Sequence, residues 1–115
     1  MLYRYAMSHR TPVAWAPAIA GGVVAWRHPL LTDIRAFGMM IGFELDEARL
    51  AGMEKVRDSG KPPSIYVAWE LLQAGLLVVP AGPKVVRWLP PMNLTEAEAD
   101  EGLRIFKAVL DTLAA

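Results

Sequence analysis

A single cation, Arg87, sits inside an apolar run, Val85-Val86-Arg87-Trp88-Leu89. That run closes the stretch Gly75 to Pro91 (GLLVVPAGPKVVRWLPP), in which Leu76–Val79 and Val85–Leu89 flank a Pro-Ala-Gly-Pro-Lys break. β-Branched residues bounded by Gly and Pro predict two strands joined by a turn. Period-2 alternation then places Arg87 on the same face as Val85 and Leu89. A guanidinium does not lose its charge, so on a mostly apolar face it needs an anion. Either the protein supplies a carboxylate or a ligand does.

Little else in the chain offers chemistry. Cysteine is absent, which removes disulfides, thiolate catalysis and Cys-ligated zinc. His9 and His28 are the two histidines, too few for a histidine-rich metal site, and no metal ligands are assigned. Lys+Arg and Asp+Glu are both 12, so no net charge steers the chain to nucleic acid or an anionic membrane. At 115 residues, 54% hydrophobic and 21% charged, the sequence describes one globular domain with a modest core. The apolar run Val13–Trp26 is shorter than the roughly 20 residues of a membrane span. Pro17 and Gly21-Gly22 interrupt it. Arg4 and Arg10 ahead of it give a faint likeness to a secretory signal, but the fit is loose and a soluble, cytoplasmic chain is expected.

The elements that must position Arg87 are read in chain order. Residues 1–27 are expected to be irregular or weakly helical, because Pro12, Pro17 and the Gly21-Gly22 pair oppose a continuous helix. Asp33–Leu45 reads as one long strand. Its odd positions carry Arg35, Phe37, Met39, Ile41, Phe43 and Leu45 and its even positions Ala36, Gly38, Met40 and Gly42, so one face reads as bulky and the other as nearly bare. Met39 and Met40 are expected as core filler. Asp46–Pro63 is polar, mixes charges of both signs and reads as a connecting loop, with at most a helical turn over Leu50–Val56. Ser64 has the character of an N-cap and Gly75 that of the stop for a helix Ile65–Ala74. Ile65, Ala68, Trp69 and Leu72 would be its sheet-facing stripe. Pro90-Pro91 ends the Arg87 strand. Thr95 with Glu98 forms a capping box for a final helix with the apolar stripe Ala99, Leu103, Phe106, Leu110 and Leu113, and Asp100–Arg104 is an i,i+4 pair on its outer side. The order strand, helix, strand, strand, helix predicts an α+β fold, a small and largely antiparallel sheet with helices packed on one face.

His28-Pro29-Leu30, then DIRAFGMMIGFEL, then AGLLVVPAGPKVVRWLPPMNLTEAEAD together resemble the C-terminal, small domain of class III aminotransferases. These are pyridoxal-phosphate enzymes of fold type I, and the likeness is strongest to the acetylornithine/ornithine type. The strand motif R-x-x-G-M-M-I-G-F-E-L and the block G-L-L-V…R-W-L-P-P, followed by a T-E-x-E helix start, occur in the right order from about His28 to the end. The resemblance implies two parts, an N-terminal segment 1–27 of unclear origin and an aminotransferase-like domain 28–115. It also implies that Arg87 binds the carboxylate of a small amino-acid substrate, since a planar fork meets a carboxylate through two parallel hydrogen bonds. An internal salt bridge from Arg87 to Glu44 or Glu70 is the competing reading.

The rest of the family pattern lies outside this sequence. The Schiff-base lysine, the aspartate under the pyridine nitrogen and the phosphate-binding residues belong to a large upstream domain. Lys55, Lys61, Lys84 and Lys107 do not sit in the lysine motif, and the usual Arg-Gly pair at the strand start is Arg35-Ala36. The resemblance therefore implies an aminotransferase by family, moving an amino group between an amino acid and a 2-oxo acid in arginine biosynthesis and dimeric when whole. No catalytic or cofactor-binding residue is assigned in this chain, and none of the family's pyridoxal phosphate is expected to be held by it alone. Its partners would be the missing large domain or a second copy. A stand-alone binding or oligomerisation module derived from that domain is the alternative.

Overall fold

The computed structural model describes residues 12–37, 40–90 and 94–115. Leu31–Phe37 (β1) and Met40–Leu45 (β2) fold back on each other as antiparallel strands, with Phe37 opposite Met40 and Ala36 opposite Ile41. The one long strand expected over Asp33–Leu45 is therefore a hairpin. Its link, Gly38-Met39, is outside the described residues, so the expectation for Met39 falls outside them too. A two-residue link containing glycine has hairpin length and composition, and continuous alternation hid it. Val79–Pro80 (β3) and Val85–Trp88 (β4) complete a four-stranded antiparallel sheet in the order β1-β2-β4-β3. A register shift between Leu31 and Asp33 breaks the regular ladder at the start of β1.

Alternation divides this sheet into two faces. Ile41, Phe43, Val86 and Trp88 are buried beneath the helices. Thr95 caps Glu96–Ala114, and the capping box with Glu98 is present as the sequence predicts. That helix buries Ala99, Gly102, Ile105, Phe106, Leu110 and Leu113. Phe106 meets Phe43 edge to face at 4.7 Å between ring centroids, a pairing worth about 1 kcal/mol beyond the area it buries. On its exposed side Arg104 pairs with Glu101, rather than with Asp100 as expected.

Among the described residues four further helices fill the layer: Pro12–Val24 (α1), Glu47–Ala51 (α2), Glu54–Ser59 (α3) and Pro63–Ala74 (α4), which makes Glu96–Ala114 α5. All four correct the sequence reading. The segment expected to be irregular carries the 13-residue α1, because burial of Ala18, Ile19, Ala20 and Val23 outweighs the poor propensity of Pro17 and Gly21-Gly22. The polar stretch after Asp46 holds α2 and α3, each resting one apolar residue, Leu50 and Val56, in the core. In α4 the buried side is Pro63, Ser64, Tyr66, Val67 and Leu71, while Ile65, Trp69 and Leu72 are exposed. The apolar stripe is rotated from the expected one: Val67 and Leu71 enter the core, and Ser64 is held against the turn before β4. Gly75 ends α4 in the left-handed conformation, as expected.

His28 ties the ends of the layer together. Its Nδ1 accepts the Leu30 N–H at 3.1 Å, so Nε2 carries the proton and donates to Asp111 Oδ1 at 2.9 Å. Lys107 donates to the other Asp111 oxygen at 2.8 Å and, ahead of His28, holds that carboxyl below its ordinary pKa. The contribution of this cluster is present above the ordinary carboxylate range and fades as pH falls through the lowered value.

Gly102 shows how closely α5 approaches the sheet. A Cβ there would stand 2.9 Å from two atoms of the buried Trp88 ring. Gly102→Ala would gain about 1 kcal/mol of helix propensity and lose roughly 1–3 kcal/mol to overpacking. The expected outcome is a net loss of about 1 kcal/mol, read as a lower urea midpoint at unchanged slope. Unchanged or higher stability would show that the Trp88 ring yields.

Candidate functional site

The face of the sheet away from the helices carries the charges. Register places Gly42 opposite Arg87 and Glu44 opposite Val85, while Arg35 lies opposite Gly42 and Val79 opposite Arg87. Arg35, Gly42, Arg87 and Val79 thus form one row across all four strands. Gly42 leaves the middle of that row without a side chain, directly beside Arg87. A Cβ at Gly42 would meet only Arg35 O at 3.9 Å and Val85 Cγ1 at 4.0 Å, ordinary contacts. Internal packing therefore does not require glycine there.

Arg87 is half-buried on β4. Its Nε is buried and has no hydrogen-bond partner among the described residues. Leaving such a donor unpaired costs about 1–3 kcal/mol, more when the group is charged. The competing reading, an internal salt bridge to Glu44 or Glu70, is not what the structure forms among the described residues. Glu44 gives one oxygen to Lys84 at 3.0 Å and the other to Arg35 at 3.6 Å. Arg35 also reaches Asp33 at 3.1 Å. Glu70 lies elsewhere, lining a cavity of about 410 Å³ between α4 and α5 together with Lys55, Tyr66, Arg104 and Val109. Burial first, and then the neighbouring Glu70 carboxylate, raise the pKa of the Tyr66 hydroxyl.

The turn that delivers β4 is anchored from two sides, and sequence reasoning missed one of them. Ser64 is not the N-cap of α4. Pro62 holds that position, and Ser64 is a fully buried residue of the first helical turn. Its hydroxyl donates to Gly82 O at 2.5 Å and its N–H to Pro83 O at 2.9 Å. From the sheet side, the Leu45 N–H donates to Lys84 O at 2.6 Å. A serine after two prolines carries a capping signal in sequence, and only the arrival of residues 82–83 turns it into a tertiary anchor. Leu77, Val79 and Leu89 stand exposed near Arg87, Leu77 at 71% and Leu89 at 55%. Among the described residues no group of three or more potential metal ligands occurs. No described helix is long and apolar enough to cross a membrane.

Ser64→Ala removes one hydrogen bond to the turn and leaves Gly82 O without it. Expected is a loss of about 1 kcal/mol in unfolding free energy, with faster amide exchange at Leu45, whose acceptor lies in that turn. Exchange at Leu45 equal to that of the parent chain would show that the strand contact alone holds the turn.

Comparison with known proteins gives the family and the fold. The aminotransferase class-III family model matches residues 24–110. The chain is 34% identical over 85 residues to the acetylornithine aminotransferase of Synechocystis sp. (strain ATCC 27184 / PCC 6803 / Kazusa), covering 73% of this chain and 17% of that protein. It is 36% identical over 86 residues to the acetylornithine aminotransferase of Nostoc sp. (strain PCC 7120 / SAG 25.82 / UTEX 2576), covering 74% of this chain and 17% of that protein. The chain thus spans about a sixth of the length of these relatives. The crystal structure of N-acetylornithine aminotransferase from Stenotrophomonas maltophilia K279a superposes with a TM-score of 0.69 at 21% identity, over 96% of this chain and 26% of that one, and so shares the fold. With a family model spanning most of its length and the fold of a family structure, the chain belongs to the class-III aminotransferases.

Proposed function

We propose that the chain is the small domain of an acetylornithine-type aminotransferase and that Arg87 holds the carboxylate of the amino-acid substrate. The observation carrying this reading is the buried Arg87 Nε, which has no partner among the described residues, while the nearby Glu44 carboxylate is already taken by other cations. A guanidinium left open beside a bare glycine can accept a carboxylate in two parallel hydrogen bonds, orienting the substrate without bonding to its reacting atoms. Residues 28–115 form the family-like domain in this reading, and residues 1–27 precede it. The reaction is transfer of an amino group between an amino acid and a 2-oxo acid in arginine biosynthesis, in the cytoplasm.

Pyridoxal phosphate would supply the electron sink for that transfer. The residues present here do not fit it. A lysine that joins a cofactor carbonyl needs a desolvated pocket that lowers its pKa, whereas Lys55, Lys61, Lys84 and Lys107 are all exposed. Lys84 is bound to Glu44 and Lys107 to Asp111, and Lys61 lies over the Trp69 ring. Cofactor and chemistry would come from a large domain, supplied by adjoining sequence or by another polypeptide, and this chain by itself would be inactive. The exposed Leu77, Val79 and Leu89 favour a second reading, a binding or oligomerisation module that uses the same face. Light scattering after size exclusion separates the two: a concentration-dependent dimer of the purified chain favours the module.

The test of the main reading is NMR of the Arg87 Nε–H during titration with 2-oxoglutarate and N-acetylornithine. One charge-assisted contact gives a Kd on the order of 10 mM. The Arg87 resonance should move, and other resonances should stop responding in Arg87→Ala. A silent Arg87 would overturn the assignment. Pyridoxal phosphate should give no absorbance shift that survives dialysis, and transamination by the purified chain would overturn the expected inactivity.

A further inference from the structure

We propose that Lys84 and Arg35 are positioning residues that hold Glu44 away from Arg87 and so keep Arg87 open to a ligand carboxylate. The inference rests on the reading of Arg87 as a carboxylate contact. It concerns what prevents the protein from filling that contact itself.

The threat comes from the register. Gly42 faces Arg87 across the β2–β4 ladder, and Glu44, two residues further along β2, shares its face. Diagonal neighbours on an antiparallel pair lie roughly 7–8 Å apart, within reach of two long side chains. No side chain at position 42 stands between them. The Glu44 side chain is only 19% exposed, so its charge is poorly hydrated and needs a cation. Arg87, with a buried and unpartnered Nε, is the cation with most to gain by meeting it.

Two other cations prevent that pairing. Lys84 takes Glu44 Oε1 at 3.0 Å, and Arg35 approaches Oε2 at 3.6 Å. The two carboxylate oxygens are thus turned toward different cations, neither of them Arg87. Arg35 is itself oriented by Asp33 at 3.1 Å. Lys84 is placed by its backbone, since the Leu45 N–H donates to Lys84 O and Ser64 grips the turn just before it. Charge counting gives the same answer. Among the described residues, the two carboxylates that pair on this face, Asp33 and Glu44, are met by Arg35 and Lys84, which leaves Arg87, with its buried open donor, without one. Both guards are about half exposed, at 46% for the Arg35 side chain and 50% for that of Lys84. Neither is needed to fill the core.

The experiment compares the purified parent chain with Lys84→Met, Lys84→Met/Arg35→Met, and each of these combined with Glu44→Gln. The readouts are the Arg87 Nε–H resonance and titration with sodium acetate and 2-oxoglutarate. In the double variant the Arg87 resonance should shift from its parent position, and carboxylate affinity should fall about tenfold. Glu44→Gln should restore both the resonance position and the affinity, a rescue that general damage to the fold would not give. Lys84→Met alone carries the test if the double variant does not fold, with the same changes at smaller amplitude. An unshifted Arg87 resonance and undiminished binding in the guard variants would overturn the proposal while leaving the Arg87 reading intact. Failure of the parent chain to bind either carboxylate at Arg87 would instead overturn that reading, and with it the purpose assigned to the guards.

Discussion

Strict alternation along β2 is the constraint on which the rest of the structure depends. Ile41 and Phe43 point into the core, where Phe43 meets Phe106 and fixes α5 on the sheet. The residues between and beside them, Gly42 and Glu44, point the other way and form the floor and flank of the Arg87 row. A slip of one residue would exchange these sets, placing a glutamate in the core and a phenylalanine over Arg87. The packing that stabilises the domain is therefore the same packing that sets the geometry of its charged face. The close fit of Trp88 beneath Gly102 applies the same constraint to β4, since the indole can lie there only if Arg87 is turned outward.

That coupling explains which features were legible in the sequence. The final helix was readable to its cap, because Thr95, Glu98 and a stripe ending at Leu113 are local signals with a 3–4 period. Arg87 was readable as an oddity, a fixed charge between apolar neighbours. The hairpin linked by Gly38-Met39 was not, because the residues on either side of it continue one alternation and that pattern outweighed the local glycine signal. The sheet-facing stripe of α4 was misread for a different reason. Ile65, Trp69 and Leu72 are the more hydrophobic choice, but Ser64 is the one that bonds a residue distant in sequence, and it shares its side with the buried Val67 and Leu71. Hydrophobicity ranks faces; it does not record a hydrogen bond to residue 82. The same holds for α1, whose glycines and proline argued for irregularity and whose helix is held by burial of one side.

The charged face extends this contrast between local and tertiary information. Sequence supplied Glu44 as a candidate partner for Arg87, and distance along the strands supports that choice. The decisive fact is competition, settled by cations from β1 and from the turn before β4. Half-buried carboxylates of this kind have little hydration to fall back on, so their choice of partner is firmer than that of fully exposed pairs. A charge left over on such a surface reflects the whole arrangement rather than any single neighbour.

The rims of the sheet carry a consequence of their own. One outer strand, β3, is two residues long and contains Pro80. The other, β1, begins at a register shift and carries Asp33 and Arg35. Short, proline-bearing, irregular and charged borders are the devices by which natural sheets avoid recruiting a further strand. This domain can therefore display apolar side chains beside Arg87 without offering a template for strand-by-strand growth into fibrils. Contact with another surface is steered to the flat of the sheet, where side chains and not backbone decide what fits.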